Sequence, residues 1–97
     1  MTRNAFIFCI GYQGGTAIVD KKLEARYRRK SCRELFAEGL YKPALAAAVY
    51  DKNQDDLEWI RTSYSTLSGR EYRDVDAIIR ALGVADVRDS IQRTLYL

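Results

Sequence analysis

Cys32 is the one side chain in this sequence whose neighbours could activate it. It stands between Lys30 and Arg33, near the start of what reads as a helix. Both cations would depress a thiol pKa and favour the nucleophilic thiolate. A hydroxyl or a still-protonated thiol also needs a base to take its proton. The chain contains no histidine, which excludes the Ser-His-Asp and Cys-His arrangements. A lone cysteine in a helix is more often a small core residue, and Cys32 is expected to be one. Cys9 is the only other cysteine. A closed zinc site takes four Cys or His ligands, more than one chain can supply. The expectation is a protein with no catalytic residues, no resident metal and no cofactor.

Two further patterns could carry chemistry. Gly11-Tyr12-Gln13-Gly14-Gly15-Thr16 exposes backbone amides that could cradle a phosphate. A phosphate loop needs GxxxxGK[ST] running into a helix, and the lysine is missing. A hairpin turn is the better reading. The acidic pairs Asp55/Asp56, Asp74/Asp76 and Asp86/Asp89 could bind a hard cation or transfer protons. Each lies where a helix is expected to begin, and carboxylates there satisfy the free amides of the first turn. They are read as caps.

The strongest compositional signal is basic. Seven of the 16 Lys and Arg residues fall between Lys21 and Arg33, in KKLEARYRRKSCR. Residues 1–33 hold eight basic side chains against two acidic ones, whereas residues 34–97 hold eight against eleven. On one continuous helix Lys22, Arg26, Arg29, Lys30 and Arg33 would share an arc of roughly 100°. Tyr27 is interleaved with them, as on surfaces that stack bases and contact phosphates. These six residues are the candidate contacts for a partner or a nucleic acid. A charge-rich segment is also, in most proteins, a solvated face. Trp59 is the candidate interface residue, because it lies off the Leu57, Ile60, Tyr64 stripe. Intramolecular packing, on the hairpin, is the reading favoured over that role.

The elements that would position these residues follow from local patterns. Ala5 to Ile10 is aromatic and β-branched without alternation, which reads as a buried strand. Gly14-Gly15 turns the chain into a second strand, Thr16 to Val19. Residues 21–30 read as a basic connector. Ser31 and Glu34 have the spacing of a capping box, so a helix is expected from about Ser31 to Glu38. Gly39 suits its C-terminal end. Pro43 fits the first turn of an alanine-rich helix reaching Tyr50. Asp55-Asp56 opens another, with Gly69 at its end. Val75, Ile78, Ile79 and Leu82 mark a helix stopped by Gly83. Val84, Val87, Ile91 and Leu95 have the spacing of a last helix.

The expected fold is α+β and mainly helical: an N-terminal β-hairpin over 1–20, then about four short helices in one domain over 1–97. Ile79 to Val84 resembles the end of a first helix and the turn of a helix-turn-helix. The resemblance stops at Asp89, where that motif buries an aliphatic residue. Gly39-Leu40-Tyr41-Lys42-Pro43-Ala44-Leu45, with Ala48, resembles a fragment of the tetratricopeptide pattern. It occurs once, and three stacked units are the norm, so it implies a helix hairpin and no more. No run approaches the length of a membrane span, and Ala5 to Ile10 is too short for a signal-peptide core. A cytoplasmic protein with reduced thiols is expected. Its function is read as a small interaction or adaptor module that self-associates through the hairpin or the Trp59 region. The alternative is a nucleic-acid-binding accessory protein that uses Lys21 to Arg33.

Overall fold

The chain opens with a short helix where a strand was expected. A computed structural model describes residues 1–97. Helix α1 spans Arg3–Ile7, capped by Thr2, whose hydroxyl accepts from the Ala5 amide at 3.1 Å. Ala5, Phe6, Ile7 and Phe8 are all buried. An unbroken apolar run enclosed on every side can be either strand or helix, because periodicity distinguishes them only when one face is wet. Here α1 packs on the alanine-rich helix, and the first strand begins later.

That strand, β1, spans Cys9–Gln13, and β2 spans Thr16–Val19. They pair antiparallel, with Gln13 opposite Thr16 and Cys9 opposite Val19. The hairpin therefore exists, shifted a few residues toward the C-terminus of the expected first strand. Gly14 at its tip has φ of +61°. That is the positive value required at the first position of a two-residue turn with this pattern. A bulge at Ile10 breaks the register between Cys9 and Gly11.

The basic run is two helices rather than a connector and one helix. Helix α2 spans Lys21–Tyr27, capped by Asp20, which accepts from the Leu23 amide. The chain turns at Arg28 and Arg29, and α3 spans Cys32–Ala37. The capping box is present as read: the Ser31 hydroxyl accepts from the Glu34 amide, and the Glu34 carboxylate accepts from the Ser31 amide. Hydrogen bonding of this carboxylate to Ser31, chiefly to the backbone amide, draws the Glu34 pKa below the usual carboxylate range. Gly39, at φ +81°, lets Leu40 donate back to the Leu35 carbonyl.

Helix α4 spans Tyr41–Asp51, with Pro43 in its first turn. Ala44, Leu45, Ala46, Ala47 and Ala48 are all buried. Their small side chains let α1, α3 and the next helix approach this axis closely, which makes α4 the centre of the molecule. Helix α5 spans Gln54–Ser68, capped by Asn53, with Asp55 and Asp56 in its first turn. Helix α6 spans Val75–Leu82, capped by Asp74 and closed by Gly83. The residues between α5 and α6 form the expected loop, with Tyr72 half-buried.

The last expected helix does not form. Residues after Gly83 run irregularly into a single 3₁₀ turn, Arg88–Ser90, and then into strand β3, Arg93–Tyr96. β3 lies parallel to β2, giving the sheet order β1-β2-β3. The Gly15 carbonyl at the hairpin tip accepts from the Gln92 and Arg93 amides at 2.8 and 3.2 Å. Local spacing favoured a helix. The unpaired edge of β2, 77 residues upstream, decides the outcome. This also removes the second helix of the helix-turn-helix resemblance. The architecture is α+β and mainly helical, with four helices after α2 packed beside a three-stranded sheet.

Candidate functional site

The six basic-run candidates do not converge on one stripe, because the turn at Arg28 and Arg29 divides them between two helices. Lys22 and Arg26 sit on α2, exposed and without an acidic partner within ion-pair distance. Arg26 instead lies over the Tyr27 ring, 5.3 Å from its centroid. Tyr27 itself is half-buried against the core. Arg29 is exposed and unpaired in the turn. Lys30 pairs with Glu34 at 3.8 Å. Arg33 pairs with Asp56 at 3.2 Å and lies over Trp59, 4.8 Å from its ring. Two of the six are thus committed to acids of the same chain. The free positive charge is narrower than the sequence suggests: Lys21, Lys22, Arg26 and Arg29.

Trp59 is half-buried and meets Phe36 edge-on at 5.0 Å. It is one end of an aromatic ladder that continues through Phe36–Tyr41, Tyr41–Tyr64 and Tyr64–Tyr72 at 4.9, 5.4 and 5.7 Å. The ladder ties α3, α4, α5 and the following loop together. Trp59 therefore has an intramolecular role, with Arg33 covering its outer face.

Cys32 is buried at the start of α3. Burial, with a smaller contribution from Asp56, pushes its thiol up to about 12. Arg33 and Arg3 oppose that shift but do not overcome it, so Cys32 stays protonated and inert. Cys9 is half-buried, and its thiol donates to the Gly11 carbonyl at 3.1 Å. The glycines at 11, 14 and 15 shape a hairpin that leads into β2, so no helix N-terminus faces them. Asp55, Asp56, Asp74 and Asp76 occupy helix starts as expected. Asp86 does not: it pairs with Arg88 through two contacts of 2.8 and 2.9 Å. No three Cys, Asp or Glu side chains gather as metal ligands would.

Two surface features were not legible in the sequence. The first is an apolar groove of about 450 Å³. It runs between Ile7 to Ile10, Leu23 of α2, the chain entering α4, and Leu82, with Lys42 as its one charged wall. Its lining suits an apolar group and offers little that would hold a polar one. The second is the outer edge of β3. Leu95, Tyr96 and Leu97 are 48, 45 and 66% exposed there. They account for half of the large apolar side chains that the molecule leaves in solvent. No helix is long and apolar enough to cross a membrane.

No protein-family model matches the chain, and no significant match was found among the curated proteins or the solved structures.

Proposed function

We propose that the chain is a small, non-enzymatic interaction module that associates with copies of itself. The observation that carries this reading is the open β3 edge, the unpaired side of a strand whose end carries exposed Leu95, Tyr96 and Leu97. Unprotected edges recruit further strands, and most proteins blunt them with charge, proline or a bulge. β1, at the other edge, has its bulge. β3 has only Arg93. Both cysteines are free thiols, which suits a reducing, cytoplasmic setting. Sedimentation equilibrium tests the reading. A monomer–dimer equilibrium is expected between about 1 μM and 1 mM, because an edge of four residues buries less than the roughly 1,200 Å² of a stable interface. A chain that stays monomeric at 1 mM removes self-association from the function.

A second reading rests on the free charges of α2 and the turn that follows it. Lys21, Lys22, Arg26 and Arg29 lack acidic partners, and Arg26 is stacked on Tyr27. Such a group can neutralise phosphates. Four contacts on duplex DNA would give a log–log salt slope of about −3.6. Fluorescence anisotropy at physiological salt is expected to detect no binding. Tight, salt-steep binding that is abolished by Lys22→Glu with Arg26→Glu would place nucleic acid ahead of self-association.

A further inference from the structure

We propose that two copies pair β3 with β3 in antiparallel register about a two-fold axis at Leu95, joining their sheets into one of six strands. The proposal rests on the self-association reading and specifies its geometry.

The backbone sets the register. The Arg93 amide donates to the Gly15 carbonyl, and the Leu97 amide donates to Val19, while the Leu97 carbonyl accepts from Lys21. Residues 93 and 97 thus turn their polar groups toward β2. Because a strand alternates, Leu95 does the same, and Thr94 and Tyr96 direct theirs to the open edge. A two-fold at Leu95 sets Thr94 of one copy against Tyr96 of the other, twice. Each such pair exchanges both of its backbone hydrogen bonds, so every outward group of the strand is satisfied at once. A one-residue slip would set every outward residue opposite one whose polar groups already face β2.

Side chains agree with this register. Leu95 lies beside Ile18 on the outer face of the sheet. Across the two-fold, the Leu95 side chains of both copies meet in a pair that is not hydrogen-bonded, the closest kind of cross-strand contact. A continuous strip of Ile18, Leu95, Leu95 and Ile18 would then cross the joined sheet. Arg93, the one charge on β3, faces Leu97 of the other copy. Parallel in-register pairing would instead put the two Arg93 side chains next to each other, where like charges repel. β1 offers no equivalent, because its bulge and Gly11 interrupt the ladder.

Cross-linking tests the geometry. The expected Cα separation at Leu95 is about 4.5 Å, within the range of about 4.4–6.8 Å that a disulfide spans. Under mild oxidation, Leu95→Cys in the full chain should form a 95–95 disulfide at least ten-fold faster than Thr94→Cys forms a 94–94 bond. Peptide mapping identifies the link. Thr94→Pro removes an outward amide that β2 does not use, and should weaken dimerisation at least ten-fold with the circular dichroism spectrum retained. Equal cross-linking from Thr94→Cys and Leu95→Cys, in a chain that sediments as a dimer, overturns the register and leaves self-association standing. A monomer at 1 mM overturns both.

Discussion

Removing residues 1–19 should leave a chain with no cooperative unfolding transition. The segment contributes Ala5, Phe6, Ile7, Phe8 and Val19, five of the 16 residues in the buried cluster. Four of these are large, and each adds about 1.5–3 kcal/mol by burial. Their joint contribution rivals the whole stability of a small domain, about 5–15 kcal/mol. The deletion also removes β2, the central strand, and leaves β3 with no partner. It unpins α4 as well, since Phe6 packs on Tyr50 at 5.4 Å and Arg3 holds Asp51 through two bonds of 2.9 Å. Thermal denaturation followed by circular dichroism reads the result, and a sigmoidal transition in the truncated chain would show that α3 to α6 carry a core of their own. A graded version is Phe8→Ala, which should lower stability by about 3–5 kcal/mol.

What could be read from the sequence divides by range. Ser31, Gly39, Asp74 and Gly83 mark helix ends through contacts within five residues, and each was legible. The tip at Gly14 was legible for the same reason. Ala5 to Phe8 was misread because its burial is complete, which erases the periodicity that separates helix from strand. β3 was misread because Val84, Val87, Ile91 and Leu95 have helical spacing, although only Val84 is buried, while the strand partner lies in the hairpin. In the basic run the residue types were informative and the pairing was not. No local rule assigns Arg33 to Asp56, or leaves Arg26 free. The edge that carries the proposed function was hidden for the same reason as β3 itself.

Arg88 joins the late, irregular part of the chain to the centre, and Arg88→Ala should lower stability by about 2–3 kcal/mol, as for a charged hydrogen-bond network opened from one side. Its guanidinium donates to the Tyr50 carbonyl at 3.2 Å and reaches the Val49 carbonyl at 3.5 Å. These are acceptors at the C-terminus of α4, where the helix dipole favours a cation. The same group lies 4.1 Å from the Tyr50 ring centroid and 5.1 Å from that of Phe6. Two bonds to Asp86 orient it. Arg88→Lys keeps the charge but loses the planar fork and the stacking, so it should recover under half of the loss. Acid titration adds a readout that packing alone would not move. The hydrogen bond from Arg88 draws the Asp86 pKa below the ordinary carboxylate value. A depressed native pKa adds stability above the unfolded value, near 4, which is lost as pH falls through the native one. Arg88→Ala should therefore flatten stability against pH below about 4 relative to the parent chain. Parallel curves would mean that Asp86 is not held by Arg88 in solution. Because Arg88 precedes β3 by five residues, the same substitution should also weaken dimerisation. A variant that loses stability yet dimerises unchanged would show that the edge strand is positioned by its pairing with β2 alone.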